Sequence, residues 1–379
     1  MKKVEYVFIL IALFFTITAA LGAAWTTKRL TYTAGWTGCS RIAACGANIY
    51  AVWFDDTPGN REIYFRKSID SGATWQTAKR LTNNSGASEV AVIAASGQNV
   101  YVVWQDLTPG NYEIYFRRST DGGATWHNAV RLTNNTGFSG YPQIAVYQDS
   151  LYVVWEDDTP GNMEIYLRKS TNRGSTWQAA KRLTNNSSGT IYPTISVDIE
   201  NIYLAYADNG TGSYELYFKR SADYGATWLT AKRLTYNAID SQNRGAYITT
   251  NGANIYIVWM AYPSGNGEIY FRRSTDRGAT WQNAKRLTNN AGTSNFPTIA
   301  VSDTNVYVAW YDDTPGNKEI YFRKSTDNGA TWQAIQNLSN NTGESTDPAI
   351  ATNSTRIFIT WTDYVPPNPS DVYLKYSPL

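Results

Sequence analysis

Short apolar runs recur along this chain, separated by polar, Gly- and Asn-containing stretches. Residues 134–184 show one full cycle. NNTGFSGY is polar and predicts a loop, and PQIAVY and SLYVVWED predict two strands. DTPGN, with Pro-Gly at its centre, predicts a tight turn into a third strand, MEIYLRKS. The segment STNRGSTW then leads into a fourth, WQAAKRLT. Runs this short, rich in Val, Ile, Tyr and Trp and bounded by turn residues, read as strands rather than helices. Four per cycle, repeated about every 51 residues, predict the blades of a β-propeller.

Counting each strand over the whole chain gives the number of blades. The second strand recurs at Ile49, Val100, Leu151, Ile202, Ile255, Val306 and Ile357, and the third around Ile63, Ile114, Ile165, Leu216, Ile269, Ile320 and Val372. The fourth ends at Thr82, Thr133, Thr184, Thr235, Thr288 and Ser339, and its seventh copy is WTTKRLT, residues 25–31. The last strand, DVYLKYSPL, is a third strand with no fourth after it. The expected fold is therefore all-β: one seven-bladed propeller over residues 25–379, with four antiparallel strands per blade. The N-terminal strand completes the C-terminal blade, which removes the exposed sheet edges.

Residues 1–24 read differently. Lys2 and Lys3 precede an apolar run from Val7 to Gly22, and the small residues that follow suit cleavage before Trp25 or before Ala23. This predicts a secretory signal, with an uncleaved anchor as the alternative, and so a secreted or cell-surface monomer. Any membrane contact is expected through this segment alone. Sequons at Asn83, Asn134 and Asn340 fall in predicted exposed loops.

A net charge of +2 leaves no basic surface for binding nucleic acid through its phosphates. The 14 Trp and 28 Tyr suggest either packing between blades or a surface that stacks sugars. Cys39 and Cys45 lie six residues apart on one predicted strand. That is about 20 Å of extended chain, against the roughly 7 Å that a disulfide tolerates, so two free, buried thiols are expected. The single histidine, His127, is expected at a surface strand position and supports neither a His-based triad nor a zinc site. No cofactor is expected.

The linking segment recurs as SIDSGATW, STDGGATW, STNRGSTW, SADYGATW, STDRGATW and STDNGATW. Its Asp70, Asp121, Asp223, Asp276 and Asp327 can accept backbone N–H bonds in a tight turn, and Asn172 can do the same. A catalytic acid would not tolerate that amide. The Gly two residues on suits a positive φ, and the closing Trp can be buried. The pattern S-x-D-x-G-x-T-W closely resembles the Asp box, or BNR repeat, of the sialidase superfamily. The resemblance covers nearly the whole chain after residue 24. It implies that the boxes are structural and lie on the face opposite the functional one.

On that other face, the hairpins between strands two and three open with Asp55, Asp106, Asp157, Asp208, Asp312 and Asp363; Ala261 is the exception. Capping of the turn is the favoured role. A divalent cation at the pairs Asp55/Asp56, Asp157/Asp158 and Asp312/Asp313 is the alternative. The starts of the innermost strands should ring the central mouth: Cys39–Arg41, Val90–Val92, Tyr141–Gln143, Tyr192–Thr194, Gly245–Tyr247, Phe296–Thr298 and Asp347–Ala349. Glu89, Arg244 and Asn295 precede them. This ring varies from blade to blade where the scaffold does not. The candidate ligand-binding residues are Arg41, Glu89, Tyr141, Tyr192, Arg244, Tyr247 and Asp347.

The sialidase resemblance implies an arginine triad for a substrate carboxylate, an Asp acid/base and a Tyr–Glu nucleophile pair. The family's RIP motif is matched here by Arg41 and Ile42, with Ala43 in place of the proline. Arg244 and Arg61 are candidates for the other arginines, Tyr141, Tyr192 and Tyr247 are equivalent candidates for the nucleophile, and no Asp stands out as acid/base. Two functions stay open at this point. One is a module that binds a glycan or an extracellular protein. The other is an exo-glycosidase that removes terminal sialic-acid-like sugars.

Overall fold

The computed structural model describes residues 24–236, 245–262, 265–366 and 369–379. The predicted signal segment up to residue 23 and the candidate Arg244 lie outside them. The strands form seven four-stranded antiparallel sheets, six of them ordered as in the sequence. Blade one comprises Thr37–Cys45, Asn48–Asp55, Glu62–Ser68 and Lys79–Arg80. Blades two to six repeat it. Blade seven joins Glu344–Thr352, Arg356–Tyr364 and Asp371–Pro378 to Thr26–Arg29 from the other end of the chain.

The closing register is the one that the strand count requires. Thr26 lies opposite Tyr376 and Arg29 opposite Tyr373, and the Leu30 N–H donates to the Val372 carbonyl at 2.7 Å. Arg29 pairs with Asp371, and the Thr31 hydroxyl donates to the same carboxylate at 2.7 Å.

The fourth strand is shorter than the sequence suggests. In blade three only Lys181–Arg182 joins the ladder, and the rest of WQAAKRLT runs along the outer edge. Its lysine instead crosses the seam, where the Lys181 ammonium donates to the Ala226 carbonyl of the next blade at 2.5 Å.

The second strand is covered on both faces. Tyr50, Ala51 and Val52 are fully buried, and the pattern recurs in every blade, so the run is apolar without alternation. The core therefore lies between blades rather than within them. One cluster joins Tyr50, Val52 and Phe65 of blade one to Ile93, Val100 and Trp104 of blade two. The fully buried tryptophans belong to this second strand, among them Trp53, Trp104, Trp155, Trp310 and Trp361. The box tryptophans are only half-buried, and four of the six, Trp126, Trp177, Trp281 and Trp332, lie edge-on over a Phe of the preceding blade. Trp126 meets Phe65 with ring centroids 5.0 Å apart and planes at 76°. Trp25 meets Phe322 in the same way at 5.2 Å and 81°, so the N-terminal strand also supplies the aromatic contact of the missing seventh box.

Inside a box, the Ser68 hydroxyl donates to Asp70 at 2.7 Å and accepts the Gly72 N–H at 2.9 Å. The Thr74 N–H and hydroxyl both donate to the Asp70 carboxylate, at 2.8 and 2.6 Å, and these bonds lower its pKa to about 2. Asn172 keeps the geometry: its Oδ1 accepts the Thr176 N–H at 2.9 Å and its amide donates to the Thr176 hydroxyl at 2.8 Å. Gly123 has φ of +81°, and a Cβ there would stand 2.4 Å from the Phe65 ring, so the box also sets how closely two blades approach.

Cys39 and Cys45 share one strand and are free, as expected, but both are half-buried rather than buried. His127 is exposed and lies just outside a strand. Asn83, Asn134 and Asn340 are exposed in loops.

Deleting residues 25–31 removes the outer strand of blade seven together with Trp25 and Leu30. Losing large buried side chains costs about 3–5 kcal/mol each, so the melting temperature should fall by about 10 °C. Thermal denaturation followed by circular dichroism measures this, and a shift of a degree or less would show that the ring closes in some other way.

Candidate functional site

The innermost strands converge on the propeller axis, and each is interrupted at the same depth. The pairing register breaks between Gly38 and Arg41, Glu89 and Val92, Gly140 and Gln143, Ile191 and Thr194, Asn295 and Thr298, and Thr346 and Ala349. At each of these bulges one residue takes a positive φ: Cys39 50°, Val90 53°, Tyr141 49°, Tyr192 53°, Phe296 48° and Asp347 52°. Blade five has Gly245 at the equivalent place, with φ of 83°. The left-handed region costs a non-glycine residue about 1–2 kcal/mol, and for a β-branched residue such as Val90 it is rare. A bulge bends the strand and re-aims a side chain. Here the seven bulge residues all reach the wall of one central cavity of about 200 Å³. They differ from blade to blade: Cys, Val, Tyr, Tyr, Gly, Phe and Asp.

Of the candidates read from the sequence, Arg41, Tyr141, Tyr192, Tyr247 and Asp347 meet on this wall. The Arg41 guanidinium donates to the Tyr247 hydroxyl at 3.1 Å and to the Ser40 carbonyl at 2.9 Å. Asp347 lies close enough to feel the Arg41 charge but makes no ion pair with it; it accepts a long 3.4 Å bond from the Thr346 hydroxyl. Burial raises the Asp347 carboxyl above its ordinary value, with Arg41 opposing. Burial, and then the Asp347 charge, push the Cys39 thiol up to about 12, so it is a neutral wall group rather than a nucleophile.

Glu89 is not on the wall. It lies behind it, ion-paired with Arg61, accepting the Tyr112 hydroxyl at 2.7 Å and the Gln105 amide at 3.2 Å. Burial alone would raise its carboxyl, but the bonds from Tyr112 and Arg61 outweigh burial and lower it. Gln105 in turn accepts the Tyr141 N–H at 3.0 Å. Arg61 is therefore bound within a cluster behind the mouth, and among the described residues Arg41 is the arginine on the wall. Arg244 lies outside the described residues.

Sequence reasoning missed a second layer. Gln105 and Glu156 hold equivalent positions on neighbouring second strands, and Glu156 accepts the Tyr192 N–H just as Gln105 accepts that of Tyr141. Glu156 is 2% exposed with no charged partner among the described residues, and burial raises its pKa from 4.5 to about 8. The signal was present in the repeat: this position reads Phe54, Gln105, Glu156, Ala207, Met260, Tyr311 and Thr362 between otherwise near-constant neighbours.

The hairpin carboxylates are used up by the scaffold. Asp106 accepts the Thr108 N–H at 2.9 Å, the Trp104 indole N–H at 3.0 Å and the Ser88 hydroxyl at 2.8 Å. The second acid of each pair caps the neighbouring loop: Asp56, Asp158 and Asp313 accept the N–H groups of Trp36, Phe138 and Thr293 at 2.7, 2.6 and 2.6 Å. Among the described residues no three His, Cys, Asp or Glu side chains converge. The glutamates that open the third strands were also unforeseen. Glu62, Glu113, Glu164, Glu215 and Glu268 are buried, and each is paired with an arginine of the fourth strand.

Seven four-stranded blades, Asp boxes on one face and a varied mouth on the other define a sialidase-like Asp-box propeller. The chain belongs to the BNR repeat-like domain family, whose model matches residues 151–359, more than half of it. It is 26% identical over 249 residues to xyloglucanase Xgh74A of Acetivibrio thermocellus, which covers 57% of this chain but only 28% of that enzyme. Among solved structures, the polysaccharide lyase Uly1 superposes with a TM-score of 0.63 at 8% identity, covering 94% of this chain and 92% of the lyase. The phage phi92 endosialidase superposes with a TM-score of 0.58 at 11% identity, covering 94% and 69%. These likenesses are likenesses of fold.

Glu156 makes the site sensitive to pH. Its folded pKa, about 8, is above its ordinary 4.5, so the native state holds a proton that the unfolded state releases. Its contribution to stability is then fully present below about 4.5 and is lost as pH rises towards 8. Melting temperatures of the wild type and Glu156→Gln, measured from pH 4 to 9, should diverge over that window, with the variant the more stable at the alkaline end. Parallel curves would show that Glu156 is ionised in the fold.

Proposed function

We propose that this protein is a glycan-binding propeller that works outside the cytoplasm, secreted or held at the cell surface, with its ligand in the central mouth. The observation that carries this reading is the composition of the wall. Where the blades otherwise repeat, the mouth places Tyr141, Tyr192, Tyr247 and Phe296 around Arg41 and Asp347. Aromatic faces set beside a few fixed polar groups are what a sugar ring requires, because its C–H faces are apolar and its hydroxyls lie around the edge. The cavity holds on the order of six or seven waters at their liquid volume, which suits one ring rather than a folded polypeptide. The predicted leader supports the location, and the xyloglucanase, lyase and endosialidase relatives support the ligand class.

A second reading, exo-glycosidase of the sialidase type, is favoured by the contact of Arg41 with the Tyr247 hydroxyl, which puts a carboxylate-binding residue beside a potential nucleophile. Against it stands the engagement of Arg61 with Glu89, which leaves Arg41 as the arginine on the wall among the described residues. The mature chain should retain immobilised glycans and release no fluorophore from a sialoside. Turnover that disappears in Arg41→Ala would establish the second reading in place of the first.

A further inference from the structure

One strip of the mouth face has features that the ring as a whole lacks. Phe296, at its bulge, is 42% exposed and stacks on Tyr311, with centroids 5.7 Å apart and planes at 22°. In the next blade Asp347 presents a carboxylate to the same cavity and makes no ion pair with another described residue. Beyond it, Trp36 is 53% exposed and stacks on Tyr364 at 5.0 Å and 21°. An exposed tryptophan held flat against a second ring is a prepared apolar surface, and exposed large apolar groups are the informative ones. Tyr364 pairs across the sheet with Glu344, three residues before Asp347. At about 3.3 Å per residue, the strand position that pairs with Tyr364 lies about 10 Å along the strand from Asp347. Trp36 is also only three residues from Cys39 on the mouth wall.

The charges along this strip cancel. Arg41 faces Asp347 across the mouth, and Lys318, which lies over the Tyr311 ring, is bonded to Glu344 at 3.1 Å. Among the described residues, an anionic sugar would meet Asp347 with no further cation left over along this strip. A neutral sugar offers paired hydroxyls, and a carboxylate, which accepts at both oxygens, can take two of them at once.

We propose that Phe296, Asp347 and Trp36 form an extended subsite for a neutral oligosaccharide, one ring stacked on Phe296 with its hydroxyls on Asp347 and a further ring of the same chain on Trp36. This rests on the glycan reading of the mouth and narrows it to uncharged chains of more than one ring. The test is a glycan array bearing neutral and sialylated oligosaccharides, followed by calorimetry of the best neutral ligand and of the monosaccharide at its end. Neutral oligosaccharides should lead the array. Trp36→Ala should weaken the oligosaccharide about tenfold and leave the monosaccharide unchanged, Phe296→Ala and Asp347→Ala should weaken both, and Phe296→Tyr should restore binding.

If sialylated glycans lead and Arg41→Ala abolishes them, the mouth binds glycans but this assignment is wrong. Neutral binding that ignores Trp36→Ala and Phe296→Ala would also overturn it. If no glycan binds, the glycan reading falls and this subsite falls with it.

Discussion

Each blade is apolar on both faces, so it must be covered on both sides before it is stable. That requirement organises the rest of the molecule. Tyr50, Ala51 and Val52 are fully buried only because blade two covers one side of blade one and blade seven the other. An open row of such sheets would leave two uncovered faces and two unpaired edges, and closure into a ring removes all of them. The chain ends therefore meet within one sheet, and Trp25 takes over the aromatic contact that a seventh box would have made.

The Asp box serves the same requirement. Its Ser and Asp satisfy the N–H groups of a tight turn, its Gly lets the turn approach the neighbouring Phe, and its Trp covers that ring's edge. Arginines of the third strands add a second tie across the seam, as Arg66 to the Leu30 carbonyl and Arg117 to the Leu81 carbonyl. With one face and the seams committed to holding the ring, the other face is left to vary. The bulges turn that freedom into a site by aiming six side chains of five kinds at one axis. Six non-glycine residues held in a left-handed conformation is a steep local cost, of a kind that persists where the surrounding structure over-determines it.

Much of the site was legible before any coordinates. Five of the seven candidate ligand residues line the mouth, because the repeat fixes which residue of each blade comes nearest the axis. Glu89 was misplaced because alternation along a strand is broken by the bulge: one extra residue turns Val90 inward and leaves Glu89 to Arg61 and Tyr112. The hairpin acids were read correctly as caps, since Asp before a tight turn has backbone N–H groups within reach. Gln105 and Glu156 went unnoticed because their partners, the N–H groups of Tyr141 and Tyr192, lie in the following blade, 36 residues on.

The sequence by itself determined the period, the identity of each strand, the number of blades and the pairing of the two ends. These follow from local patterning and counting, which need no knowledge of distance. Only the tertiary structure decided which groups share the mouth, that Arg41 bonds Tyr247 across it, and that Asp347 comes within reach of the Arg41 charge. Those relations join residues about 200 to 300 positions apart through the curvature of a closed ring, and no periodicity along a chain encodes that curvature.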